Sequence, residues 1–391
     1  MTYDLWQRSE EIVRRSGLDK MLVIDADIHH LNVLDHLTPY MDQPWRRSLE
    51  FASGQMKQNN LGDRSAAGRI KRPRVLPFDE KSPPSAVRAL VEEVTRLGID
   101  YSVVFPNDLL SLGIHPQVEF EVAVARAYAR WLTECVLPHE PRILGMLYLP
   151  FSDPEASAAL IEEFGERPGV VGFMVTGLRY QRIHHHAYLE AYRALEERRL
   201  MLAFHSTGYW LDRPYNMFDT FLAAHALSFP MYNSMHLINL LLHGIPERFP
   251  SLCVGFFEAG AAVIPMLMAR LDTVFRMRPS EAPLLKRLPS EYMREFYYTL
   301  QPIEFPDKPR QMRVIMDQIG RDQILYASDY PHWDFDMPNS ITNLGWLSEE
   351  DKRKILAGNA IRAFGLDAGK LTLTDFKTGQ GHGLGTEGRR G

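Results

Sequence analysis

Cysteine is nearly missing from this chain: two in 391 residues, Cys135 and Cys253, each inside an apolar segment and neither with a CxxC partner. That count points to core thiols in a reducing compartment rather than to a disulfide framework or a zinc knuckle. No apolar run approaches the roughly 18 residues of a membrane-crossing helix. Positive charge is not in excess either, with 44 Lys and Arg against 49 Asp and Glu, so a formal charge of −5 gives no case for nucleic acid. There is no internal repeat and no boundary between two domains. Asp4 to Arg15 reads as a charged amphipathic helix, unlike a signal peptide. These absences leave a cytoplasmic enzyme acting on a small molecule, with no nucleic-acid or membrane partner, as the default. A homo- or hetero-oligomer is the expected assembly.

What is present is alternation. Short apolar runs at Leu22–His30, Asp100–Pro106, Ile143–Leu149, Val170–Val175, Leu200–His205, Leu252–Glu258, Phe296–Leu300 and from Ile324 read as strands buried on both faces. Between and after them lie helical patterns at Ser85–Leu97, Val118–Leu137, Asp153–Glu166, Ala187–Arg199, Ser234–Leu242, Ala261–Arg276, Arg310–Ile319 and Ser348–Phe364. Asp153-Pro-Glu gives one of these an acidic first turn with an early proline. Eight strands alternating with eight helices predict an α/β fold, a (β/α)8 TIM barrel, over residues 1–366. A long insertion at 44–84 follows strand 1 and reads as irregular. Residues 367–391 read as a flexible Gly-rich tail.

Four of the strands end on side chains able to hold a metal. Asp25, Asp27, His29 and His30 end the first, His205 the fifth, Glu258 the sixth, and Asp329 the last, with Pro331, His332 and Asp334 just beyond. In a parallel barrel that edge carries the catalytic groups. Asp27 and His29 are two apart and project to one side of an extended strand, with Asp25 deeper and His30 turned away. Carboxylates mixed with imidazoles suit zinc, manganese or iron(II). The insertion carries Arg46, Arg47, Lys57, Arg64, Arg69, Lys71, Arg72 and Arg74. It reads either as a solvated basic loop or as a lid whose Arg72 and Arg74, with His332, bind a substrate carboxylate.

The sequence resembles the amidohydrolase-related family, in the branch of metal-dependent barrels that includes aminocarboxymuconate semialdehyde decarboxylase and resorcylate decarboxylases. The matching residues are Ile24-Asp-Ala-Asp-Ile-His29, Ala203-Phe-His205, Ile245-Pro-Glu-Arg-Phe-Pro-Ser-Leu252, Phe257-Glu-Ala-Gly-Ala261, Ala327-Ser-Asp-Tyr-Pro-His-Trp-Asp334 and Lys354-Ile-Leu-Ala-Gly-Asn-Ala360. The resemblance implies that Asp27, His29, His205 and Asp329 are the metal ligands. It fails at two places. Val170 to Thr176 has no lysine, so the carbamylated bridge of the dinuclear members has no source. Strand six ends on Glu258, where the decarboxylases tend to carry a histidine. His236 and His243, seven apart, share a helix face nearby. His243 reads as a helix C-terminal histidine, and His236 as a residue of the site.

The leading expectation is a metal-dependent hydrolase or decarboxylase for a small carboxylate-bearing substrate, an aromatic one included. It would work through a metal-activated water or a substrate oxygen held by the metal, with Asp329, Glu258 and His236 as catalytic groups. The rival is a non-haem oxygenase with two metals, iron or iron and manganese, of the 2-aminoisobutyrate hydroxylase type. There Glu258, His236 and His332 would hold the second ion. A third reading is a non-catalytic partner subunit that keeps the barrel, and the intact ligand set argues against it.

Overall fold

Each apolar run becomes one strand of a single parallel sheet. The computed structural model describes residues 2–31, 33–56, 83–177, 181–207 and 217–379. Its strands are β1 (Ile24–His30), β2 (Tyr101–Pro106), β3 (Ile143–Tyr148), β4 (Val170–Thr176), β5 (Met201–His205), β6 (Val254–Phe257), β7 (Tyr297–Thr299) and β8 (Ile324–Leu325). They pair in sequence order, every pair parallel. The ring closes through backbone bonds beyond β8: Tyr326 O accepts from Ala26 N at 3.0 Å, Asp27 O from Asp329 N at 2.9 Å, and Tyr330 O from His29 N at 2.7 Å. Asp25 helps to seal that seam, its Oδ1 accepting from Ser328 N and Asp27 N at 2.8 and 3.1 Å. Burial pushes its carboxyl up to about 8. This is the TIM barrel the alternation predicts.

Helices follow the strands and cover the barrel wall. Asp153 caps Pro154–Phe164 by accepting from Ala156 N at 3.0 Å, and Ser348 caps Glu349–Arg353 by accepting from Asp351 N at 3.1 Å. Among the described residues no helix is long and apolar enough to cross a membrane.

Three expectations need correction. The 44–84 stretch is not irregular throughout, since Trp45–Met56 is a helix with Leu49 buried; 57–82 lies outside the described residues. The helix expected from Ser234 begins instead at Phe221, capped by Thr220, and runs through Pro230. Tertiary packing outweighs a proline that would normally mark a break. The described part of the tail, 367–379, is packed rather than loose, and 380–391 lies outside the described residues. Lys377 Nζ is fully buried and donates to Asp100 Oδ2 at 2.6 Å and to Met21 O at 2.8 Å. Thr374 N reaches Asp100 Oδ1 at 2.8 Å. The tail therefore latches onto Asp100, just before β2.

Candidate metal centre

At the C-terminal edge of the barrel, β1, β5 and the chain after β8 bring Asp27, His29, His205 and Asp329 together, all with no exposed surface. His205 Nδ1 donates to the Ser206 carbonyl at 2.8 Å, which leaves the neutral ring a lone pair on Nε2. That Nε2 faces Asp27 Oδ2 at 3.2 Å. His29 Nε2 stands 3.3 Å from Asp27 Oδ1 and 3.0 Å from Asp329 Oδ1, while neither of its ring nitrogens has a hydrogen-bond partner among the described residues. Lone pairs facing carboxylate oxygens call for a cation between them. Ligands about 2.0–2.2 Å from one ion, at right or tetrahedral angles, lie about 3.0–3.5 Å from one another. The donor set therefore fits a divalent metal.

The electrostatics agree. Burial, and then the nearby His332 ring, lowers the His29 imidazole to about 4, outweighing the pull of Asp27 and Asp329. It is thus a neutral, lone-pair ligand at neutral pH. Burial alone would raise the Asp329 carboxyl, but His332 and His29 outweigh it and hold it well below the usual carboxylate range. Asp329 and Glu258 share a further feature, left-handed backbone at φ 59° and 52°. For non-glycine residues that costs roughly 1–3 kcal/mol each and gathers at functional sites.

Glu258 and His332 complete a second group with His29 and Asp329, each offering an atom within 4.8 Å of the others. Glu258 Oε2 lies 3.7 Å from His205 Nδ1, and Oε1 lies 3.9 Å from His332 Nδ1. His332 Nδ1 is 2.6 Å from Asp329 Oδ1, and its Nε2 is 2.8 Å from Asn107 Oδ1.

Not every expected residue joins this group. His236 is buried in the helix layer, where its Nε2 donates to the Gly177 carbonyl at 2.8 Å and its ring stacks on Phe204. Phe204 precedes His205 on β5 and faces the other side of the strand. His236 is thus held on the outer side of the barrel wall, which corrects its assignment as a catalytic or second-metal residue. Arg72 and Arg74 lie outside the described residues. His243 meets Asn239 O at 3.0 Å at its helix end and stacks on His184. Two amides were missed. Asn107 follows β2 and holds His332. Gln301 follows β7, its Nε2 donating to Asp329 Oδ2 at 3.2 Å. Each is a polar residue just past an apolar strand, a signal that a search for carboxylates and imidazoles passes over.

The sequence profile of the amidohydrolase family matches residues 24–366. The gamma-resorcylate decarboxylase of Polaromonas sp. is 25% identical over 257 residues, 62% of this chain and 76% of that protein. A solved amidohydrolase from Mycobacterium avium subsp. paratuberculosis superposes with a TM-score of 0.66 at 19% identity, covering 89% of this chain and 99% of that one. A dihydroxybenzoic acid decarboxylase from Polaromonas sp., solved with manganese and the inhibitor 2-nitroresorcinol, gives 0.62 at 19% identity, over 88% of this chain and 97% of that one.

Proposed function

The chain belongs to the amidohydrolase family, a family of enzymes, and from that premise we propose that it is a metal-dependent carboxy-lyase for a small aromatic acid. The observation that carries the reading is the convergence of Asp27, His29, His205 and Asp329, with His332 hydrogen-bonded to Asp329. Relatives named as decarboxylases of aromatic acids, one holding manganese, support the substrate class and the ion. Oxygen and imidazole donors also suit zinc and iron.

Asp27, His29, His205 and Asp329 would hold the ion, which would supply positive charge to offset that of the substrate carboxylate. The chain's own residues do the rest. Loss of carbon dioxide from an aromatic ring needs a proton at the same ring carbon, so one C–C bond breaks and one C–H bond forms. Glu258 is the carboxyl group we assign to carry that proton, since His332 and His29 hold Asp329 ionised. His332, held between Asp329 and Asn107, keeps Asp329 oriented. Full burial of the ligand side chains keeps competing water away.

The test is elemental analysis of protein purified without added metal, followed by assays of carbon dioxide release from hydroxylated benzoates. Release that disappears with chelation and returns with manganese is the expected result. Hydrolysis of esters or amides without any carbon dioxide release would overturn the reading.

A second reading rests on the second group. His29, Glu258, Asp329 and His332 could hold another ion beside the first, as a di-metal oxygenase would need. Two metal atoms per chain including iron, with substrate-dependent oxygen uptake, would favour it.

A further inference from the structure

The helix Phe221–Leu242 follows β5 on the outer side of the barrel, and none of its 22 residues is Asp, Glu, Lys or Arg. A surface helix ordinarily turns a charged or polar face to water. This one instead exposes Leu227 at 41%, Met231 at 42% and Met235 at 43%, four residues apart on a single stripe. The inner side is committed to the barrel. Asn233 Nδ2 donates to the Phe204 and Phe257 carbonyls at 3.3 and 3.0 Å, and Ser206 Oγ donates to the Phe229 carbonyl at 3.1 Å. The helix Val263–Met277, which packs beside it, adds exposed Met266 and Met277. A contiguous apolar face of this kind marks an interaction surface.

The stripe is symmetric. Met231 stands at the middle of Phe221–Leu242, with Leu227 and Met235 four residues to either side. Two such helices packed antiparallel about a two-fold axis set Met231 on the partner's Met231 and Leu227 on the partner's Met235. The area is sufficient. At about 1.5 Å per residue and about 10 Å in width, the two helices present roughly 550 Å² per copy, so a pair of copies buries about 1,100 Å², above the roughly 1,000 Å² a specific interface needs. A lipid surface fits less well, because helices that lie on membranes carry Lys or Arg on their polar face, and this one has neither. We propose that Phe221–Leu242 is the two-fold interface of a homodimer, occupied by a second copy of this chain, with Met231 at its centre.

Sedimentation of the full chain tests this with changes confined to exposed positions. Wild type should sediment at twice the 44.9 kDa chain mass, or at a multiple of that dimer. Met231→Glu sets two like charges at the axis and should weaken the dimer at least about 100-fold, leaving half the wild-type mass. Val314→Glu, at an exposed apolar residue of the helix Pro309–Ile319, should leave the mass unchanged. Cysteine cross-linking checks the geometry, with wild type and its Cys135 and Cys253 as background. Under mild oxidation Met231→Cys should link to its own copy. Leu227→Cys and Met235→Cys should each stay unlinked alone, since the offset is about 12 Å along the helices, beyond the roughly 7 Å that a disulfide spans between Cα atoms. Mixed with one another, those two should link. A monomeric wild type, a dimer indifferent to Met231→Glu, or Leu227→Cys linking to itself as readily as Met231→Cys would overturn the proposal. Should Met231→Glu be insoluble, the cross-linking pattern decides by itself. A monomer that floats with vesicles of phosphatidylcholine and phosphatidylglycerol would overturn it in favour of a lipid surface.

Discussion

His332 donates from Nδ1 to Asp329 Oδ1 across 2.6 Å, so the carboxylate four residues past β8 stands at the mouth already paired. Asp329 Oδ2 is held by Gln301 in turn. A carboxylate locked at both oxygens, in left-handed backbone, keeps one face toward His29. Outer partners of this kind orient ligands and tune the ion they hold.

Asp27→Ala and His205→Ala test the ligand set. Asp27 lies within β1 and His205 ends β5, and both side chains are polar, so neither change removes apolar core. Metal affinity should fall by at least about 100-fold, because even outer partners of a site are worth about 10–100-fold. Thermal unfolding of the chelated variants should match that of chelated wild type. Full metal occupancy in either variant would sink the assignment.

Lys377 tests the tail. Burial pulls its ammonium below the ordinary range, while Asp100 at 2.6 Å pulls it back. Lys377→Met should cost about 3–5 kcal/mol, since removing one partner strands a buried charge. A cut after Gly365 should cost more, because it also removes Thr374 N from Asp100 Oδ1. Urea unfolding measures both, and no loss in either would make the latch incidental.

The barrel is legible in the sequence because a strand buried on both faces leaves an apolar run, and four of those runs end on carboxylates or imidazoles. The grouping of Asp27, His29, His205, Glu258 and Asp329 at one edge could be read from those ends alone. His236 could not be excluded that way: helical spacing gives a face, and only packing shows that the face meets Phe204. Lys377 and Asp100 lie 277 residues apart, so no local pattern announces their pairing. Gln301 and Asn107 carry no charge, and their roles come from neighbours on other strands. The helix through Pro230 was hidden because proline's local preference is real and was overridden by tertiary contacts.

Asp336 gives a dependence on pH. Burial first, and then Asp329, raise its carboxyl from the ordinary 3.8 to about 6, although Ile303 N donates to its Oδ2 at 2.8 Å. The folded state thus prefers the neutral acid. Its stabilising contribution is complete below about pH 4 and is lost as pH rises through about 6. The shift amounts to about 3 kcal/mol. Asp336→Asn keeps an acceptor for Ile303 and cannot ionise. In chelated protein the variant and wild type should be equally stable near pH 4, with the variant ahead by up to about 3 kcal/mol at pH 7. Parallel urea-stability curves over that range would show that Asp336 does not titrate in the folded protein.

Glu258→Gln separates the two functional readings. The change keeps size and hydrogen-bonding shape, and the backbone bond from Glu258 N to Thr299 Oγ1 is untouched. What goes is the charge and the capacity to carry a proton. If Glu258 serves beside one metal as an acid or base, occupancy should hold at one ion per chain while the rate falls by roughly 10²–10⁴. If Glu258, with His29, Asp329 and His332, holds a second ion, occupancy should fall from two toward one, because a neutral amide is a poor ligand for a hard cation. Elemental analysis and rate measurement on one preparation decide the matter. Normal metal with normal rate would leave Glu258 as a structural residue of the barrel rim.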